Sequence, residues 1–170
     1  TRHKDSCLAS FLVNLFGDMF KITTVIGPNE AKSTVRSPVE EIYDEIIIPD
    51  LLIASKNAPP FYPSTEVGRV TKWAAKALLA KAYMMKGGLE NLALAKPLLV
   101  EVLAEGSLGL ETNFADIFST SNEMNKEIIF AVRYKGGAFG IGSPFWEYFA
   151  PESSANRYLL VGSPDGNNNP

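Results

Sequence analysis

The sequence predicts a mostly α-helical fold, built from right-handed helical hairpins with a short strand and a loop-rich C-terminal part. Three observations predict it. First, the run GRVTKWAAKALLAKAYMMKGG (Gly68 to Gly88) sets Ala74, Ala75, Ala77, Ala80 and Ala82 among Leu78, Leu79, Tyr83 and Met84. Small side chains on most faces let other helices approach closely, because the contact residues set the interaxial distance. Second, Gly87 and Gly88 stop that helix, since glycine takes the left-handed C-cap conformation cheaply, and another helical run starts at once. Third, glycine and aromatic residues replace helical periodicity after Gly136. Ala80, Tyr83 and Gly87 match the small, aromatic and glycine positions of a tetratricopeptide (TPR) hairpin, a unit that buries its faces only against stacked neighbours.

The first helix spans roughly Arg2 to Phe16, with Cys7, Leu8, Phe11, Leu12 and Leu15 at helical spacing and Gly17 closing it. Met19 to Ile26 reads as extended and Gly27-Pro28-Asn29 as a turn. The next helix has the clearest start. Ser37 stands as N-cap, Pro38 at N1 and Glu40 at N3, the pattern of a capping box. Val39, Ile42, Tyr43 and Ile46 form its apolar stripe. Pro49 removes a hydrogen bond and clashes one turn back, which predicts a kink or an end near Ile48. Pro59, Pro60 and Pro63 make 57–64 an extended loop. Two helices follow, from about Val70 to Lys86 and from about Glu90 to Glu105, the latter carrying Pro97 inside it. Ala115 to Phe118 reads as a short helical turn with Asn113 or Asp116 as its cap. Glu127 to Tyr134 reads as one strand.

Composition narrows the function. The chain has 170 residues, enough for a domain with a core, and 46% hydrophobic residues exclude wholesale disorder. A net charge of −3 gives no basic footprint for nucleic acid. The single cysteine, Cys7, reads as a small buried hydrophobe. No apolar run is long enough to span a membrane. The single histidine, His3, has no partner for a nucleophilic triad, and metal-ligand spacing is absent, so no catalytic residue, metal site or cofactor is predicted. The acids Glu40, Glu41, Asp44, Glu45 and Asp50 read as a solvated helix face, not a glycosidase pair. Gly136, Gly137, Gly140 and Gly142 fit no phosphate-binding spacing. The aromatics Phe139, Phe145, Trp146, Tyr148, Phe149 and Tyr158 can either cover the core or present flat faces to sugar C–H groups. The candidate ligand-binding residues are Phe139, Trp146 and Tyr148, with Asn156 and Arg157 to bond hydroxyls.

Five short segments in order carry a family resemblance. They are LVNLFGD (Leu12 to Asp18) followed by ITT, SPVEEIYDEII (Ser37 to Ile47), the alanine-rich helical hairpin, SLGLETNFADIF (Ser107 to Phe118) and NKEIIFAVRY (Asn125 to Tyr134). Over about residues 8 to 135 the chain resembles the SusD/RagB family of surface nutrient-binding lipoproteins. The resemblance implies a TPR-like scaffold over 1–135 and, from 136 to 170, the start of a loop-rich region facing ligand or partner. It also implies a non-enzymatic protein of the outer cell surface, held only by a lipid anchor. That protein would deliver an oligosaccharide, or a peptide in some relatives, to a SusC-like TonB-dependent transporter. Thr1 opens directly into a helical pattern and a polar tail, SPDGNNNP, closes the chain, so it is expected to be a piece of a longer protein. Two other readings remain open: a generic TPR adaptor, and an enzyme whose active site lies in further sequence. The NFADIF and NKEIIF segments argue against the first, and the poverty of catalytic groups against the second.

Overall fold

The computed structural model describes residues 2–119 and 121–133, with side chains from residue 9 onward. Nearly all of these lie in a first compact unit, Thr1–Phe130; a second, Ala131–Pro170, is described only through residue 133. The predicted mostly helical, TPR-like architecture is what the first unit has.

Helix α1 (Arg2–Phe16) ends where the Gly17 N–H bonds the Val13 carbonyl (2.9 Å), with Gly17 at φ +67°. Strand β1 (Met19–Phe20) pairs antiparallel with β2 (Arg36–Ser37), Met19 opposite Ser37. Between them lies the short helix α2 (Pro28–Ser33), entered with the Gly27 N–H donating to the Glu30 carboxylate at 3.0 Å. The predicted turn at Gly27-Pro28-Asn29 is thus the start of a helix, for which Pro28 supplies a preset φ.

The second long helix differs from expectation in two ways. Ser37 is not its N-cap, because β2 holds it; Pro38 takes that position and helix α3 runs Val39–Ile42. Pro38 offers no side-chain acceptor, and Asp18 supplies one instead: its Oδ1 accepts the Val39 N–H at 3.1 Å. Nor does the helix stop at Ile48. A single π turn, Tyr43–Ile47, leads into helix α4 (Ile48–Asn57), with the Ile48 N–H bonded to the Tyr43 carbonyl five residues back. Pro49 therefore sits in the first turn of a restarted α-helix, where its missing N–H costs little.

Helices α5 (Lys72–Lys86) and α6 (Leu89–Leu103) form the tight hairpin. Thr71 caps α5 by accepting the Ala74 N–H at 3.2 Å. Gly87 and Gly88 turn the chain at φ +78° and +82°, a region other residues enter only with strain. Helix α5 packs against α4 on one side and α6 on the other. Its alanines make this possible: Ala75, Ala80 and Ala82 are all within 1% of complete burial. The largest wholly buried side chains are Ile42 and Ile47, from the α3–α4 rod, and Leu79, from α5. They share one cluster with Val13, Tyr43, Leu51, Tyr83 and Ala95. Pro97 is carried inside α6 without ending it.

A 3₁₀ turn, Phe114–Phe118, follows, capped as expected by Asn113, whose Oδ1 accepts the Ala115 N–H at 3.3 Å. The predicted strand over 127–134 is not formed by residues 127–133, its described part. Side chains bond the backbone just before it and at Glu111. The Lys126 N–H donates to the Glu111 carboxylate (3.3 Å), and the Glu111 N–H donates to the Glu127 carboxylate (3.2 Å). Buried Asn125 donates to the Ile117 and Asn122 carbonyls (3.1 and 3.0 Å) and accepts the Glu127 N–H (3.2 Å). The Ile128 N–H bonds the Asn125 carbonyl at 3.1 Å, so the start of the expected strand is a turn closed on Asn125.

Candidate functional site

The predicted ligand residues Phe139, Trp146, Tyr148, Asn156 and Arg157 lie outside the described residues, as does the glycine run that begins at Gly136. The Cys7 and His3 side chains are likewise not described. Three surface features of the described residues bear on function.

The acidic face is the first. Glu41 and Glu45 both pair with Lys21, the latter at 2.7 Å, and Asp44 pairs with Lys86 of α5. The Lys21 hydrogen bond holds the Glu41 carboxyl below the usual carboxylate range, and the two carboxylates raise the Lys21 ammonium above its ordinary value. These ion pairs tie the α3–α4 rod to Lys21 and to α5. Among the described residues no group of three His, Cys, Asp or Glu could hold a metal, and no helix is long and apolar enough to cross a membrane.

The second feature is a cleft of about 620 Å³ between α4, α5 and the 127–130 segment. Leu51, Ala54, Ala74, Leu78, Ile128 and Phe130 form its apolar walls, with Lys81 and Glu127 as its charged members. So few polar groups could orient an apolar group but not the many hydroxyls of a sugar.

The third is the loop joining α4 to α5, 58–71. Pro59, Pro60 and Pro63 fix φ at three positions. Internal bonds fix it further: the Glu66 N–H to the Pro63 carbonyl (2.8 Å) and the Lys72 N–H to the Pro59 carbonyl (3.0 Å). The loop holds Phe61 half exposed, at 53%. The Arg69 guanidinium lies 5.8 Å from the Tyr62 ring centroid and pairs with Glu66 at 3.5 Å. Just beyond, the Lys72 and Lys76 ammoniums flank the Trp73 indole at 5.5 and 5.2 Å. Lys76 is buried and pairs with Glu101 of α6, which holds the Glu101 carboxyl below its ordinary range. Sequence reasoning placed 57–64 in an extended loop and did not single out its aromatic–arginine pair; the signal was Phe61-Tyr62 between prolines, with Arg69 following.

Known proteins match this scaffold. The family model SusD-like_3, described as starch-binding and associating with the outer membrane, matches residues 9–84, from α1 through most of α5. A SusD-like protein of Formosa agariphila is 29% identical over 123 residues, which is 72% of this chain and 23% of that protein. A crystal structure of a SusD superfamily protein from Parabacteroides distasonis is 33% identical and superposes with a TM-score of 0.70, over 79% of this chain and 29% of that one. A further structure, solved with a xylogluco-oligosaccharide, is 26% identical with a TM-score of 0.67, over 79% of this chain and 28% of its own. The chain thus spans about a quarter of the length of these relatives. The order of the motifs and the matched stretch agree, and over its helical scaffold the chain is similar to proteins of the SusD-like family.

Proposed function

We propose that the full-length protein is a non-enzymatic glycan-binding protein of the outer cell surface, which hands its ligand to a SusC-like TonB-dependent transporter. The observation that carries this reading is the family match over the scaffold, together with a related structure that holds a xylogluco-oligosaccharide. The helices α1 to α6 supply rigidity, and the loop-rich region from 136 onward supplies the ligand face. In that region Trp146 and Tyr148 are the stacking residues, Phe139 adds a third ring, and Asn156 and Arg157 bond hydroxyls. A protein that feeds a transporter needs moderate affinity and ready release. Stacking on one or two flat rings with a few exposed hydrogen bonds provides that, whereas an enclosing pocket slows release.

Calorimetry on the full-length protein tests the reading, with xylogluco-oligosaccharide and malto-oligosaccharides as ligands and Trp146→Ala beside wild type. Saturable binding to a glycan, weakened by Trp146→Ala, is expected. Equal affinity of the variant for a ligand that does bind removes Trp146 from the site. Co-purification of the protein with a TonB-dependent transporter, from mildly solubilised outer membranes, tests the partner.

A further inference from the structure

We propose that the groove between α5 and α6 seats a further helix of the full-length protein, one with an apolar stripe and an acidic residue facing Lys96. This goes beyond the glycan reading and does not depend on it. Helix α6 has two adjacent apolar faces. Ala95 and Leu98 join the core cluster and Val102 is buried, so one face packs on α5. Leu92, Leu99 and Leu103 form a second stripe at helical spacing beside it, and are 45%, 37% and 81% exposed. With Met84 of α5 they line a groove of about 260 Å³ that follows α6 for about three turns. A helix apolar beyond its core-facing stripe is one built for burial on a second side. Helix α5 has that arrangement already, packed between α4 and α6.

The character of the groove selects its occupant. Stacked helical repeats end in caps with a polar outer face. Lys96 is the one charged residue lining this groove, so the α5–α6 hairpin has the face of an interior repeat, not of an end. The described chain after α6 leaves the groove open, because 127–130 return to the α4 side of α5. The chain spans about a quarter of the length of its relatives, which leaves room for the covering helix elsewhere in the full-length protein. A row of leucines with one ammonium offers an oligosaccharide few hydrogen bonds. It fits apolar side chains one helical turn apart, with a carboxylate opposite Lys96.

Thiol alkylation of the full-length protein tests this, on monomer isolated by size exclusion and in a Cys7→Ala background. Leu92→Cys and Leu103→Cys are compared with Val25→Cys, a fully exposed reference, and circular dichroism checks the folding of each. Hydroxyl-radical footprinting of the unsubstituted monomer reads Leu103 itself, without a variant. We expect the Leu92 and Leu103 variants to react at least about tenfold more slowly than the Val25 variant, and Leu103 to be protected from radicals. Because the sample is monomeric, such protection comes from the same polypeptide. Leu103→Cys reacting at the reference rate, or Leu103 modified as fast as an exposed leucine, overturns the proposal and leaves this face to a second copy or another protein.

Discussion

Asp18 caps a helix that begins 21 residues later: its Oδ1 accepts the backbone N–H of Val39 at 3.1 Å. The β1–β2 pair brings the two residues together, because Met19 faces Ser37 in that short ladder. A cap of this kind joins the exit of α1 to the entry of the α3–α4 rod. Asp18→Ala is expected to lower stability by roughly 1 kcal/mol, the usual cost of a lost N-cap. Ser37→Ala is expected to cost less, since Ser37 is not the cap. Denaturant melts of the two variants check this, and the opposite order would restore the capping role to Ser37.

Leu79 is wholly buried at the centre of the shared cluster. Leu79→Ala should cost roughly 2–5 kcal/mol, combining lost transfer energy with the cavity left behind. A loss below about 1 kcal/mol, on the scale of exposed-site changes, would mean that the α5 register is wrong.

Tyr43 enters the core on the π turn, and its hydroxyl donates to Asn14 Oδ1 at 3.1 Å, linking the turn to α1. Burial pushes its phenol above the ordinary value. Tyr43→Phe removes the bond and keeps the ring, so a loss of about 1 kcal/mol is expected. Hydrogen exchange should speed up first at the π turn, which loses its tie to α1; uniform protection in the variant would contradict that placement.

Lys76 and Glu101 clamp α5 to α6, with Lys76 buried. The folded Glu101 carboxyl has a depressed pKa, first through the Lys76 hydrogen bond. The folded state therefore gains stability from this group above its unfolded pKa, and loses that gain as pH falls through the folded pKa. Glu101→Gln should flatten this part of the acid limb of the stability curve. Lys76→Met should be tolerated better than Glu101→Ala, because removing the buried charge avoids leaving it unpaired. Acid titrations followed by circular dichroism distinguish the two, and identical acid limbs for wild type and Glu101→Gln would contradict the clamp.

The α5–α6 hairpin was legible because its signals are local: alanines set close approach, and two glycines at positive φ end the helix. Where the sequence misleads, distant groups decide. The β-branched run after Asn125 has strand composition, yet at its start Asn125 takes the Glu127 N–H with its side chain and the Ile128 N–H with its carbonyl, closing a turn. Pro49 has the look of a helix breaker, but a π turn placed just before it lets the rod continue. Ser37 has the local features of a cap and is drawn into a ladder. The ligand residues proposed after Gly136 rest on composition alone, since aromatic residues near glycine do not state which face they present.

The proposed function is binding without turnover. Its most direct test incubates the full-length protein with xylogluco-oligosaccharide and malto-oligosaccharides, following complex formation by calorimetry and new reducing ends by colorimetric assay in the same samples. Saturable, reversible binding to at least one glycan is expected, with no reducing ends above the protein-free control. Steady release of reducing sugar, or no binding to any glycan in the presence of folded protein, would contradict it.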